Sequence, residues 1–232
     1  AGAAVMLLEW GDMHRVHRRW GYAGIAFLAV NLLIVPGLLF PAMQIDQELR
    51  ALSFRPARIG FVGVLAAALI LGIVSQRPTL FGGYLYIAFP AFALLVLNWA
   101  WFPIVFWVMV VTWSTDIFAY FAGRSIGGAK LAPKITPKKT WAGLVGGLAG
   151  AAVVGAITAV AFGLGSPFTW AGGFMGVIAQ AGDLFESWLK RRAGVKDSGS
   201  WLPGHGGALD RLDGLVVVAT LTALVQIGGW LR

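Results

Sequence analysis

The sequence predicts an all-α, polytopic helical membrane protein with about seven transmembrane helices and part of another in front of them. Three observations predict it. Hydrophobic residues make up 58% of the chain and charged residues 12%, about half the charged share of a soluble domain. Apolar segments close to the roughly 20 residues a span requires recur along the chain. The charged residues gather in the connections between those segments. Irregular backbone cannot face lipid, so each apolar segment is expected to be a helix.

Taken in order, residues 1–8 are apolar but too short to span and read as the tail of a helix. The apolar segments that follow run over 20–40, 59–74, 80–97, 101–121, 141–162, 168–189 and 208–231. Pro36 and Pro90 fall inside the first and third, where neighbouring helices or water must satisfy the carbonyls they free. Asn98 and Pro103 punctuate the join between the third and fourth. Residues 1–100 read as an N-terminal group of transmembrane helices, and residues 101–232 as the region that carries the chemistry.

Charge in the connections orients the chain. If connections alternate sides, fourteen Lys and Arg residues fall on one side and four on the other, which places the larger set in the cytoplasm. The segment 41–58 fits least well, since Arg50, Arg55 and Arg58 fall on the outer side. An interfacial segment partly offset by Asp46 and Glu48 is the alternative. Both long polar connections, 122–140 and 190–207, then face the cytoplasm, where a soluble charged cosubstrate is available. The net charge of +8 reflects this topology, anionic headgroups and a phosphorylated substrate rather than nucleic acid. The absence of cysteine excludes disulfides and thiolate metal sites.

Residues 187–213, SWLKRRAGVKDSGSWLPGHGGALDRLD, form a dense polar stretch between two segments long enough to cross a bilayer. Lys190, Arg191, Arg192 and Lys196 accompany Asp197, Asp210 and Asp213, with Pro203, Gly204, Gly206 and Gly207 among them. Cations and carboxylates beside a glycine-rich turn suit a phosphate-plus-metal site. Just upstream, Asp183 and Glu186 share a helix face with Lys190. A carboxylate at membrane depth marks a functional site by default, although an ion pair to a neighbouring helix would also satisfy it. Asp210 and Asp213 repeat the spacing at the start of the last helix, where the macrodipole by itself favours acids. A cation between Asp183 and Asp210 would join both ends of the connection. His205, inside the glycine turn, is expected to hydrogen-bond a phosphate or a carboxylate.

The other polar connection, GRSIGGAKLAPKITPKKTW, carries Arg124, Lys130, Lys134, Lys138 and Lys139 among glycines and prolines. Prolines disfavour a long helix, so short ordered pieces are expected. Basic residues beside lipid also fix topology, but five cations with the Thr136 and Thr140 hydroxyls favour a polyphosphate cradle. Asp116 is a second embedded acid, either orienting a ligand or hydrogen-bonding between helices. No GxxxxGK[ST], HExxH or GxSxG motif is present, so the common nucleotide-hydrolase, zinc-protease and serine-hydrolase readings lack their signatures.

The stretch 187–213 resembles the phosphatidate cytidylyltransferase (CDP-diacylglycerol synthase) family. The family's S-x-x-K-R, K-D-x-G, P-x-H-G-G and D-R-x-D elements correspond to Ser187/Lys190/Arg191, Lys196/Asp197/Gly199, Pro203/His205/Gly206/Gly207 and Asp210/Arg211/Asp213. The stretch from Asp116 through Lys130 to KKTWAG is similar to its second characteristic segment. Departures are Ala208 for a larger aliphatic residue, Ala142 for a polar or acidic one and Thr136 for Ser. The resemblance implies CTP + phosphatidate → CDP-diacylglycerol + pyrophosphate with Mg2+, with room for a second cation, at the bilayer, in a bacterial inner membrane with the active site facing the cytoplasm. It also implies a homodimer. The assignment has Asp183, Asp210 and Asp213 at the metal, Asp197 orienting the loop, and Lys130, Lys138, Lys139 and Thr140 on the CTP phosphates. Lys190, Arg191 and Lys196 would neutralise pyrophosphate or the lipid phosphate, with His205 beside them.

Rival readings share parts of this machinery. Another CTP-using membrane transferase or a polyprenol kinase would differ in its lipid-facing groove, and a transport or anionic-lipid-binding protein would release no pyrophosphate. A CDP-alcohol phosphotransferase would need further acids after Asp210-Arg-Leu-Asp-Gly, and residues 215–231 supply none.

Overall fold

The computed structural model describes residues 1–34, 54–201 and 206–228. The elements are α1 (Gly2–Met13), α2 (Arg18–Ala29) continuing into a π-helical turn (Val30–Ile34), α3 (Phe54–Ser75), α4 (Pro78–Ala100) and α5 (Phe102–Ser125). A two-stranded hairpin, β1 (Lys130–Ala132) and β2 (Thr136–Thr140), leads to α6 (Trp141–Ala161), α7 (Ser166–Arg192) and α8 (Leu209–Ile227). Among the described residues the protein is all-α apart from that hairpin. Every apolar segment expected to be helical forms a helix over nearly all of its described length. Among the described residues, α4, α5, α6 and residues 57–75 of α3 are long and apolar enough to cross a membrane. Pro90 sits inside an unbroken α4. The stretch 41–58, read as an outer connection or alternatively as interfacial, lies largely outside the described residues, and Pro36, Pro203, Gly204 and His205 lie outside them.

The chain forms two compact units, Ala1–Val96 with Asp197–Asp210, and Leu97–Lys196 with Arg211–Arg232. In the first, the Trp10 indole donates to the Thr79 carbonyl at 2.9 Å, and Phe61 meets Phe92 edge-on at 5.0 Å. Gly60 and Gly83 leave the space that the Phe92 and Trp10 rings occupy.

The second unit is built on small residues. A Cβ on Gly147 of α6 would come 2.8 Å from the Thr115 carbonyl oxygen, and one on Gly143 would come 2.9 Å from that of Ala119. Gly172 and Gly176 of α7 meet Ala151 of α6 as closely. Helices in lipid gain no hydrophobic drive from each other, so close backbone approach through small residues supplies the packing. Trp107 of α5 anchors the far end, donating to the Gly155 carbonyl at 2.9 Å and packing edge-on against Phe168. Outward faces stay apolar: Trp170 is 84% exposed, and Ile157 and Val160 also point out. Water would disfavour such surfaces and lipid does not.

Local chemistry sets the element ends that matter. The hairpin pairs Lys130 with Thr140 and Ala132 with Thr136, with an irregularity between them. Thr140 then caps α6, its hydroxyl accepting from the Gly143 N–H at 3.1 Å. Gly194, at φ +78°, closes α7, and the Val195 N–H returns to the Lys190 carbonyl at 3.0 Å.

Candidate active site

A cleft of about 380 Å³ opens in the second unit, lined by the C-terminal part of α5, strand β2, the first turn of α6, and α7. Asp116, Arg124, Lys138, Lys139, Gln180 and Asp183 give it its polar character. Proline and glycine end the helical pattern after α5 and fold the chain into the hairpin, and β2 carries Lys139 back against α7. There the Lys139 ammonium forms an ion pair with the Asp183 carboxylate and donates to Gln180 Oε1 at 2.9 Å. The Ser187 hydroxyl lies 3.4 Å from the other oxygen of Asp183. Asp213 of α8 feels the charges of Asp183 and Asp116, and so do these two acids each other; Lys139 opposes them. Asp213 also accepts from the Gly214 N–H at 2.7 Å.

The structure thus gathers Asp183, Lys138, Lys139 and Thr140 around one cleft. Thr140 is almost fully buried and its oxygen is engaged in the α6 cap. Lys130 stands exposed on β1. Lys190 pairs with Glu186 one turn back at 3.1 Å, so the fully buried Glu186 is neutralised on its own helix. Arg191 reaches the Ile135 and Val195 carbonyls at 3.3 and 3.4 Å, tying the hairpin to the end of α7. Lys196 and Asp197 are exposed.

Asp210 belongs to the first unit and is held differently. Its Oδ2 accepts from the Ser198 N–H at 2.9 Å, the Ser198 hydroxyl at 3.0 Å and the Gly207 N–H at 2.8 Å. Gly206 makes this turn at φ +82°, where a side chain would be strained and its Cβ would lie 3.0 Å from Asp210 Oδ2.

Two residues of these sites escape sequence reasoning. Gln180 lies one turn before Asp183 on the same face of α7, a polar residue in an apolar run. Glu9 is buried in α1 and hydrogen-bonded to the turn before α8. The signal for both is the one that singles out Asp183: a polar group in an apolar run needs a partner.

Fold and site define a class, a helical membrane protein whose apolar helices end in a polar cleft of paired cations and carboxylates. Residues 2–227 match the Cytidylyltransferase family, and the chain belongs to it. Relatives named "Phosphatidate cytidylyltransferase" include one from Brucella abortus, 43% identical over 175 residues, covering 70% of this chain and 64% of the relative. One from Pseudomonas aeruginosa is 32% identical over 256 aligned positions, covering 99% of this chain and 87% of the relative. One from Bacillus subtilis is 47% identical over 117 residues, covering 49% and 44%. The aligned chain spans less than two thirds of the Brucella relative's length.

Proposed function

We propose that this protein transfers CMP from CTP to phosphatidate, giving CDP-diacylglycerol and pyrophosphate. The observation that carries the reading is the cleft that sets Lys138, Lys139 and Arg124 beside Asp116 and Asp183, at the ends of apolar helices. Family membership and the names of the relatives support the same reaction. An oxygen of the phosphatidate phosphate attacks the α-phosphorus of CTP, and the bond to the bridging α–β oxygen breaks. Pyrophosphate leaves with that electron pair. The attacking oxygen is already ionised, so no general base is required, and catalysis rests on positioning and charge neutralisation.

Lys138, Lys139 and Arg124 hold the triphosphate in this reading. Lys139 exchanges its contact with Asp183 for a phosphate oxygen when CTP enters. Lys190, Arg191 and Lys196 serve pyrophosphate or the lipid phosphate. Acyl chains stay in the bilayer while the headgroup reaches the cleft between helices. The donor set fits Mg2+: Asp183, Asp213 and Asp116 offer hard oxygen ligands whose mutual repulsion a cation relieves. Among the described residues no three acids or histidines converge tightly enough to hold an ion alone, and magnesium commonly completes its shell with substrate phosphates and water. Asp183 and Asp213, both in the second unit, would hold it, and Asp210, in the first, is a metal ligand by the family resemblance alone. Bound there, Mg2+ would supply positive charge to the triphosphate.

The balance of basic connections supports an inner-membrane location with the cleft on the cytoplasmic side. Resemblance to the family supports a homodimer, which cross-linking in membranes would test. The decisive experiment is pyrophosphate release by purified protein in detergent–lipid micelles, with CTP, phosphatidate and Mg2+, run beside Asp183→Ala. Release that needs all three components and disappears in the variant is expected. Release with a different lipid phosphate but not phosphatidate would replace the acceptor. No release from folded protein would sink the reading.

A further inference from the structure

Glu9 is 1% exposed, in the apolar helix α1. Burying a carboxylate is unfavourable by several kcal/mol unless it is paired or hydrogen-bonded, so its partners explain its presence. Oε1 accepts from the Ala208 N–H at 2.8 Å. Oε2 accepts from the Leu209 N–H at 3.0 Å and lies 3.4 Å from the Ser198 hydroxyl. These backbone N–H groups open α8, where the first turn has donors without intrahelical acceptors and favours negative charge. A carboxylate from the start of the chain therefore caps a helix near its end.

The turn is shaped around that carboxylate. A Cβ on Gly199 would come 2.8 Å from Glu9 Cγ, and one on Gly207 would come 2.9 Å from Glu9 Oε1 and 2.8 Å from the Gly199 nitrogen. Ser198 links the two acids of this unit: its hydroxyl stands between Glu9 Oε2 and Asp210 Oδ2, and its N–H goes to Asp210. Asp210 thus takes its orientation from a turn whose other side is held by Glu9.

We propose that Glu9 is a positioning residue that locks the turn 206–209 and, through Ser198, aims the Asp210 carboxylate for catalysis; the catalytic half of this rests on the cytidylyltransferase reading. The full chain is tested in detergent–lipid micelles as Glu9→Gln, Glu9→Ala and Ser198→Ala. Amide hydrogen exchange at Ala208 and Leu209 speeds up at least tenfold in Glu9→Ala. The acceleration is smaller in Glu9→Gln, which keeps one acceptor. The Mg2+ concentration for half-maximal pyrophosphate release rises severalfold in the same order, and Ser198→Ala raises it while leaving the Glu9 bonds to Ala208 and Leu209. A residue that only supports folding would lower the amount of active protein and leave the Mg2+ requirement of the remainder unchanged. That result, or exchange at Ala208 and Leu209 as slow as in the parent, overturns the proposal. Absence of pyrophosphate release in the unmodified protein would instead sink the reaction, while the exchange measurement would still decide the lock.

Discussion

In the second unit Asp183 faces the ammonium of Lys139 across a cleft, whereas in the first Glu9 and Asp210 face backbone N–H groups inside a turn. Both arrangements neutralise acids in apolar surroundings, but they leave different chemistry open. An ammonium and a carboxylate are on separate side chains and can part, one taking a phosphate and the other a cation. Backbone donors cannot leave without undoing the turn. The cleft is therefore suited to exchange ligands, and the turn to hold a geometry. The same residue type at similar helical spacing serves opposite ends because its partners differ.

The sharpest way to break this comparison is Asp183→Asn. It keeps the shape of the cleft and removes the charge, and pyrophosphate release is expected to fall at least about a hundredfold, the scale of losing one preorganised electrostatic group. Exchange at Ala208 and Leu209 should stay as in the parent; a change there would mean the two sites are not separate in role. Lys139→Ala comes next. Its loss strips the cleft of a phosphate partner and leaves Asp183 without its cation, so KM for CTP should rise about tenfold or more, with Lys139→Arg recovering part of it. An unchanged KM would remove Lys139 from the triphosphate.

Gly207→Ala addresses the turn. The new methyl group meets the Ser198 hydroxyl and the Gly199 nitrogen, and the loss of stability should be about 1–3 kcal/mol, as for overpacking generally, read from thermal unfolding in detergent. Stability equal to the parent would show that the turn yields. The smallest effect is expected at Thr140. Thr140→Ala removes the α6 cap at about 1 kcal/mol, and Thr140→Ser restores it. If Thr140→Ser also raises KM for CTP, the residue contacts nucleotide in addition to capping.

Much of the architecture is legible along the chain, because a helix in lipid must satisfy its own backbone and remain apolar for its whole length. Residues 80–97 and 141–162 meet those conditions and appear as α4 and α6. The hairpin is less so: prolines and glycines mark a break, but pairing of Lys130 with Thr140 depends on strands finding each other. In the site, Asp183 stands out as an acid in an apolar run, and Lys139 as one of five cations in a polar connection. Their partnership crosses 44 positions and no periodicity announces it. Glu186 and Lys190 show the reverse case, since helical spacing alone puts them in contact.

By itself the sequence determined that this chain is helical, that it is suited to a membrane, and that acids such as Asp183 needed partners. Those properties follow from composition, segment length and spacing within one helix, all of them local. Only the tertiary structure decided which partner each acid received: Lys139 for Asp183, the start of α8 for Glu9, and Ser198 with Gly207 for Asp210. A buried carboxylate can be satisfied by an ammonium, a hydroxyl or a peptide N–H at comparable separations. Which of these lies within reach is settled by how distant segments pack.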